Sequence, residues 1–236
     1  MLFLFDIDGT LLRGMPPAHR MALCDAAEQV YGVAVEPRHL GKTAGMTDSA
    51  IARRMLLQVG VSLDALSHGL PAFFAAAAEA YERHVPDDLC PFLTPHTTAA
   101  LEWLCGNQAV LGLVTGNIER IAWRKLAAAQ LDGYFSFGAF GDEAELRDEL
   151  PPQAIARAEH TTARQFALDE VFVVGDTPAD IACGLASHIR TIAVATGPEH
   201  SLEDLRACQP DYIFPDLSGL LDAPLFGHTG TSNRAI

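Results

Sequence analysis

Basic residues are scarce in this sequence. Lysine and arginine together number 16 against 30 acidic residues, and the formal net charge is −14 at pH 7. Because such a surface repels polyanions, we expect neither nucleic acid nor an anionic membrane as a partner. An anionic small molecule would need local compensation from a bound cation and a few basic side chains.

Cysteine and long hydrophobic segments are scarce as well. The five cysteines are odd in number, widely spread and without a CxxC pair, which argues against a disulfide framework or a zinc site. The first apolar run ends at Asp6, too early for a signal peptide, and no segment approaches the roughly 18 apolar residues of a membrane span. We therefore expect a cytoplasmic protein.

Strands and helices alternate through the second half of the chain. The apolar segments AVLGLV, YFSFGAF, VFVVG, RTIAVAT and YIF predict strands, and the segments between the first four of them have helical spacing. Such alternation predicts an α/β fold in which a Rossmann-like parallel sheet carries helices on both faces. With 49% hydrophobic residues, the 236-residue chain can bury one large core or two modest ones.

A helical insert separates the first predicted strand from the second. Three runs with helical spacing, PAHRMALCDAAEQVYG, TDSAIARRMLLQVG and LPAFFAAAAEAYERHV, precede AVLGLV. We therefore predict an all-α cap segment at residues 15–91 and a catalytic core formed by residues 1–14 and 92–224. Residues 225–236 are polar and aperiodic, and we expect a flexible tail there.

The motif FDIDGT places two acids at the end of the first predicted strand. If residues 2–6 are buried and extended, Asp6 emerges where a parallel sheet forms its ligand crevice. Side chains two apart in a strand lie on one side, so Asp6 and Asp8 present their carboxylates to the same small volume. Two like charges so close favour a cation beside them. Such a pair can support covalent phosphoryl transfer, with one carboxylate attacking phosphorus and the other moving a proton.

Two later motifs also place polar residues at strand ends. LVTGN offers the Thr115 hydroxyl and the amides of Gly116 and Asn117 to an anion, although ordinary helix capping explains the same residues. VFVVGDTPADI ends a strand at Asp176 and places Asp180 at the next helix start. If the strands are neighbours, their acids share one crevice, and carboxylate oxygens are the ligands that Mg²⁺ prefers.

Taken in order, FDIDGT, VTGN and GDTPAD resemble the motifs of the haloacid dehalogenase-like superfamily. The helical insert after the first motif resembles the phosphoglycolate phosphatase-like branch, and the resemblance extends from Met1 to about Leu221. It implies a Mg²⁺-dependent enzyme that hydrolyses a small phosphorylated metabolite, a phosphomonoester, through an aspartyl-phosphate. The sequence indicates neither which metabolite is the substrate nor the oligomeric state.

The resemblance also implies roles for the acids. Asp6 would be the nucleophile, and Asp8 would protonate the leaving alcohol and then activate water. Mg²⁺ would be held by the Asp6 carboxylate, the Asp8 backbone carbonyl and Asp176. Asp180 would be a further ligand or would lie just behind the ligands.

The phosphoryl group would be held by the second motif and a basic side chain. The resemblance implies that Thr115 and the amides of Gly116 and Asn117 bind its oxygens. It also implies a lysine between the second and last motifs, but FGDEAELRDELPPQAIARA contains none. Arg147 is the best substitute there, with a solvated surface charge as the alternative. Lys125, on the preceding helix, is expected to be wrongly placed for this role.

Several alternatives stay open at this stage. A phosphosugar mutase uses the same nucleophile and acid but returns the phosphoryl group to a bound sugar, and a catalytically silent module would bind phosphate or protein on the same fold. Residues 41–48, GKTAGMTD, predict either a specificity loop or a plain connector. The nine histidines have no metal-ligand spacing, so we expect structural roles for them.

Overall fold

The computed structural model describes residues 1–223, so the predicted tail at 225–236 lies outside the described residues. Its centre is a parallel sheet of six strands in the order β3-β2-β1-β4-β5-β6. The strands are β1 (Leu2–Phe5), β2 (Val110–Val114), β3 (Gly138–Ala139), β4 (Val171–Gly175), β5 (Arg190–Val194) and β6 (Tyr212–Phe214). This arrangement confirms the predicted α/β fold.

Helices surround the sheet and form the segment inserted after β1. They are α1 (Ala18–Tyr31), α2 (Asp48–Gln58), α3 (Leu63–His84), α4 (Thr97–Gly106), α5 (Glu119–Ala128), α6 (Leu150–Thr162), α7 (Pro178–Ala186), α8 (Leu202–Ala207) and α9 (Gly219–Asp222). Local chemistry sets several ends: Thr47 caps α2 through the Ala50 amide, and Gly32 ends α1 in the left-handed conformation with φ 67°.

The register at the sheet centre brings three strand ends together. β1 lies between β2 and β4, and Phe5 is aligned with Leu113 on one side and with Val174 on the other. All three strands are buried almost throughout, as their continuous apolar sequences predict. The residues that follow β1, β2 and β4 therefore emerge at one edge of the sheet.

One predicted strand is much shorter than its apolar sequence suggests. YFSFGAF forms only the two-residue β3, and the chain before it makes a 3₁₀ turn at Asp132–Tyr134. β3 is an edge strand with one hydrogen-bonded neighbour, and Phe135, Phe137 and Phe140 are buried against the core without extended pairing. The apolar residues of YFSFGAF are therefore explained by burial of their side chains and not by a longer strand.

The two linkers that join the cap segment to the core are paired with each other. The Arg13 amide donates to the Phe92 carbonyl at 2.8 Å, and the Thr94 amide donates to the Leu11 carbonyl at 2.9 Å. The division into a core of residues 1–14 and 92–224 and a cap segment of residues 15–91 stays a prediction.

Within residues 1–223, no helix is long and apolar enough to cross a lipid bilayer.

Helix α2 begins in contact with the core. The Asp48 amide donates to the Gly116 carbonyl at 2.7 Å, and the Ser49 amide donates to the Gly141 carbonyl at 3.0 Å. Residues 41–48 therefore do not form a plain exposed connector, because their C-terminal end is fixed to the loop that follows β2.

Candidate active site

A cavity of about 400 Å³ lies between the strand ends and the cap segment. Most of the site residues predicted from the sequence line this cavity. Those lining it are Asp6, Asp8, Gly116, Asn117, Arg147 and Asp176. Thr115 and Asp180 are buried directly behind this wall and do not line it.

Asp6 is paired with Arg147. The Asp6 amide closes the ladder to β4 through the Val174 carbonyl, which fixes the side chain at the strand end. Arg147 Nη2 lies 3.0 Å from Asp6 Oδ1 and 2.5 Å from Asp180 Oδ1, and all three side chains are buried. Burial raises the pKa of Asp6 to about 6, and the Arg147 charge only partly opposes this effect.

Asp176 lies in a cradle that only glycine neighbours allow. A Cβ atom at Gly9, where φ is +92°, or at Gly197 would overlap the Asp176 carboxylate. The Thr10 hydroxyl donates to Asp176 Oδ1 at 3.1 Å. Burial, together with the charges of Asp180 and Asp6, raises the pKa of Asp176 to about 9.

The carboxylates of this corner suit a divalent metal ion. One oxygen from each of Asp6, Asp176 and Asp180 lies within 4.8 Å of the others. Asp180 is largely committed elsewhere, because Oδ2 accepts from the Thr177 amide at 2.9 Å and hydroxyl at 2.6 Å, and Oδ1 accepts from Arg147. Buried, like-charged oxygens without enough cations around them fit Mg²⁺, with Asp6 and Asp176 as the available ligands.

Asp8 is paired with Lys125, which lines the cavity although the sequence did not identify it as a site residue. Lys125 Nζ donates to Asp8 Oδ1 at 2.7 Å and to Oδ2 at 2.5 Å, and Asn117 Nδ2 donates to Oδ2 at 2.8 Å. Partial burial acts to raise the pKa of Asp8, but Lys125 and His19 hold that pKa below its usual value. Asp8 is therefore an ionised carboxylate.

Helix α5 places Lys125 at Asp8 because the lysine lies on its buried face. Ile121, Ala122 and Leu126 form the apolar stripe of this helix, and Lys125 follows Ile121 by four residues. The chain has only two lysines, and this one is 1% exposed. A lysine inside an apolar helical stripe was the signal in the sequence that could have identified it.

In the loop after β2, the Asn117 side chain contacts Asp8 and does not cap helix α5. Asn117 Nδ2 donates to Thr115 Oγ1 at 2.7 Å, and Asn117 Oδ1 accepts from Lys125 Nζ at 2.5 Å. No side-chain cap is formed at the start of α5, where Ile118 is the N-cap residue. A Cβ atom at Gly116 would overlap the Met46 carbonyl, so this glycine allows close approach of the cap segment.

His19 and Asp48 from the cap segment also line the cavity, and neither is among the predicted site residues, although Asp48 ends the predicted specificity loop at 41–48. His19 Nε2 lies 2.8 Å from Asp48 Oδ2, and His19 Nδ1 lies 3.3 Å from Lys125 Nζ. Asp48 Oδ2 also accepts from the Ile118 amide at 2.7 Å. The folded positions of α1 and α2 bring these two residues together at the site.

Comparison with known structures finds the same fold in bacterial proteins. A predicted phosphoglycolate phosphatase from Haemophilus somnus is 19% identical with a TM-score of 0.65, covering 94% of this chain and 96% of that chain. A hydrolase from Pseudomonas syringae is 18% identical with a TM-score of 0.63 and the same coverage. A protein from Bacteroides vulgatus, described provisionally as a beta-phosphoglucomutase, is 18% identical with a TM-score of 0.60, covering 92% and 84%.

Sequence comparison identifies the family. No curated protein sequence matches the chain at a significant level. A family model described as haloacid dehalogenase-like hydrolase matches residues 3–184, and a second, HAD-hydrolase-like model matches residues 151–220. Because the first match runs from β1 into α7 and includes all three groups of strand-end residues, the chain belongs to the haloacid dehalogenase-like hydrolases.

Proposed function

We propose that this protein is a Mg²⁺-dependent phosphatase that hydrolyses a small phosphomonoester through an aspartyl-phosphate on Asp6. The observation that carries the proposal is the division of charge in the first motif. Asp6 lies beside Arg147 and the Asp176 carboxylate, whereas Asp8 is held by Lys125 and Asn117. These different surroundings suit Asp6 to nucleophilic attack and Asp8 to proton transfer.

In the first half-reaction, an Asp6 oxygen attacks phosphorus and the bond from phosphorus to the leaving oxygen breaks. Asp8 is ionised at rest, so the proton for the leaving oxygen arrives with the substrate, because a phosphomonoester has a second pKa near 6. Asp8 takes this proton and passes it to the departing alkoxide, which leaves as the alcohol. Arg147 keeps a positive charge beside Asp6 throughout.

In the second half-reaction, water attacks the phosphorus of the aspartyl-phosphate. Asp8, again ionised, accepts the proton of this water as the bond from phosphorus to the Asp6 oxygen breaks. Lys125 holds both Asp8 oxygens and so fixes the orientation of the base. Asp8 then passes this proton to the inorganic phosphate, so the products are dihydrogen phosphate and the free carboxylates of Asp6 and Asp8.

Mg²⁺ would be held by Asp6, Asp176 and the Asp8 backbone carbonyl, with Asp180 behind them. When bound, it neutralises charge between the attacking carboxylate and the phosphoryl oxygens. Thr115, Gly116 and Asn117 remain our candidates for binding those oxygens. Thr115 Oγ1 already accepts from Asn117, so its own proton is available for donation.

A phosphosugar mutase is the second candidate, supported by the fold that the chain shares with the Bacteroides vulgatus protein. Both reactions begin with the same phosphorylation of Asp6, and they differ in whether water or a bound sugar receives the phosphoryl group. Release of inorganic phosphate from a simple ester would support the phosphatase over the mutase.

A cytoplasmic location stays a prediction.

The experiment is intact-mass spectrometry after acid quench of a reaction with p-nitrophenyl phosphate and Mg²⁺. We expect an added phosphoryl group of about 80 Da on Asp6, accumulating in Asp8→Asn because this variant lacks the base for hydrolysis. Asp6→Asn should carry no label and release no phosphate. Asp87→Asn, which changes a fully exposed carboxylate, is the control. Label on Asp8, or full turnover by Asp6→Asn, would contradict the proposal.

A further inference from the structure

Arg20 is a cationic side chain of the cap segment that lines the cavity. It follows His19 on α1 and is half-buried. Its Nη2 donates to the Pro37 carbonyl at 2.8 Å and to the Gly41 carbonyl at 3.0 Å, and its Nη1 donates to Thr43 Oγ1 at 3.3 Å. All three acceptors are neutral, so none of them compensates the positive charge of the guanidinium.

Two N–H donors of Arg20 have no hydrogen-bond partner among residues 1–223. A guanidinium carries five N–H donors, and the three bonds above use both donors of Nη2 and one of Nη1. The Nε–H and the second N–H of Nη1 are therefore free to bind a ligand. A hydrogen bond from such a charged donor to an anion is roughly twice as strong as one between neutral groups. The side chain therefore favours an anionic partner.

The buried cations that line the core side of the cavity are already paired with carboxylates. Lys125 contacts Asp8, and Arg147 contacts Asp6. Together with the metal ion of the proposed function, they serve the end of the site where the phosphoryl group reacts. Arg20 belongs to the cap segment, so its charge faces the other end of the substrate, which is the leaving group.

Arg54 provides a comparison within the cap segment. It is half-buried on α2, and its Nη2 donates to the Leu40 carbonyl at 2.5 Å and to the Lys42 carbonyl at 3.0 Å. Both arginines therefore hold the segment 37–43 through its backbone carbonyls. Arg20 lines the cavity, whereas Arg54 does not. Holding this segment is common to both arginines, and access to the cavity distinguishes Arg20.

Arg13 also lines the cavity, but its side chain is exposed to solvent. Within the part of the chain that the structure describes, that side chain forms no hydrogen bond and no ion pair. Water and salt screen an exposed charge, so Arg13 attracts an anion less strongly than a half-buried arginine does. We therefore expect Arg13 to contribute less than Arg20.

We propose, on the basis of the phosphatase function above, that Arg20 binds a second anionic group, carried by the leaving group of the substrate. The substrate is then a compact phosphomonoester with a carboxylate or a second phosphoryl group. The cavity volume of about 400 Å³ is near the lower end of the range for small-molecule sites, roughly 300 to 1,000 Å³. A small substrate can therefore contact the strand ends and the cap segment at once.

The test compares pairs of esters that differ in one charged group. The first pair is 2-phosphoglycolate and its neutral amide, and the second is propane-1,3-diol bisphosphate and the corresponding monophosphate. We expect kcat/KM for at least one charged ester to exceed that of its neutral partner by about tenfold or more. The pair with the larger ratio identifies the anionic group. A ratio of one or less in both pairs would overturn the inference.

Two substitutions of Arg20 test whether its charge causes the preference. Arg20→Gln should lower the charged-to-neutral ratio of kcat/KM by about 10- to 10²-fold, because a hydrogen bond between charged groups is lost. Arg20→Lys keeps the charge, so the ratio should stay within about threefold of the wild-type value. Comparing ratios between variants cancels the intrinsic reactivity of each ester, and circular dichroism checks the fold.

Arg54→Gln is the matched control, because it removes bonds to the same segment and leaves the charge at the cavity wall in place. Its charged-to-neutral ratio should stay within about twofold of the wild-type value, and Arg13→Gln should change the ratio by less than about threefold. An equal change in Arg20→Gln and Arg54→Gln would assign Arg20 a purely structural role and overturn the inference. A larger change in Arg13→Gln than in Arg20→Gln would overturn it as well.

The same assays separate this inference from the phosphatase proposal. p-Nitrophenyl phosphate has no second anionic group, so its turnover by the wild-type protein and by Asp6→Asn tests the phosphatase alone. Turnover that depends on Asp6, together with a charged-to-neutral ratio that Arg20→Gln leaves unchanged, overturns the present inference alone. If no ester releases phosphate, the phosphatase proposal fails and this inference fails with it.

Discussion

The two aspartates of the FDIDGT motif lie two residues apart but have opposite electrostatic surroundings. Asp6 is buried and shares a single cation, Arg147, with Asp180, and its pKa is raised to about 6. Asp8 has a side chain that is 39% exposed, and Lys125 contacts both of its oxygens, which keeps its pKa below the usual value. Sequence spacing alone would have made the two residues equivalent.

Residues outside the FDIDGT motif produce this difference. Arg147 comes from the turn before α6, and Lys125 comes from α5, so two separate elements deliver one cation to each acid. Removing either cation should therefore damage one half of the reaction more than the other.

The largest effect is expected at Arg147. Arg147→Ala leaves Asp6 and Asp180 buried without their cation, a loss of roughly 3 to 5 kcal/mol that corresponds to about 150- to 5,000-fold in kcat/KM. Steady-state rates with p-nitrophenyl phosphate measure this loss, and circular dichroism checks the fold. Arg164→Ala removes an exposed arginine and serves as the control. A change below about twofold would remove Arg147 from the proposed machinery.

A smaller, step-specific effect is expected at Lys125. Lys125→Met keeps the side-chain volume but releases Asp8, so hydrolysis of the aspartyl-phosphate should slow by about 10- to 10²-fold while Asp6 is still phosphorylated. Stopped-flow release of p-nitrophenolate should then show a burst. Lys42→Met, at the other lysine of the chain, which is exposed, should show no change. Identical kinetics in the two variants would contradict the role of Lys125.

The third prediction concerns pH and metal binding. The folded pKa values of Asp6, about 6, and Asp176, about 9, lie above the unfolded value of 3.8, so the folded state holds extra protons between these limits. Without metal, the contribution of these groups to the free energy of unfolding therefore falls as pH rises from about 4 to 9. Mg²⁺ replaces the protons, so its stabilising effect grows with pH.

Differential scanning fluorimetry measures this dependence. We expect saturating Mg²⁺ to raise Tm by several degrees more near pH 8.5 than near pH 5.5, on the order of 1 to 2 kcal/mol of additional stabilisation. Asp176→Asn should lose most of the shift at the higher pH. An equal shift at both pH values would show that these carboxylates do not form the metal site.

The sequence was sufficient where function follows from the end of a strand. Asp6 and Asp176 could be placed together because β1 and β4 are buried and parallel, and the structure makes those strands neighbours. The prediction for the two acids needs only the order of elements and the direction of each strand. Arg147 could be proposed because the family resemblance implies a basic side chain between the second and last motifs, and it does contact Asp6.

The sequence was insufficient where the position of a side chain depends on how its helix is rotated about its own axis. Whether Lys125 points into the core depends on how α5 packs, and the charge of lysine makes the exposed orientation the ordinary expectation. His19 and Asp48 depend on the docking of α1 and α2, which brings residues far apart in sequence to within hydrogen-bond distance. β3 is shorter than predicted because apolar content reports burial and does not report pairing.

The paired linkers around the cap segment have a consequence for how such a protein diversifies. Leu12 and Leu93 form an antiparallel bridge, so the chain leaves the core and returns to it at adjacent positions. The pairing of β1 with β2 therefore does not pass through the segment between these two points. A change in that segment would act on the lining of the cavity and on the contact of Asp48 with the loop after β2, while Asp6, Asp8 and Asp176 stay on the sheet.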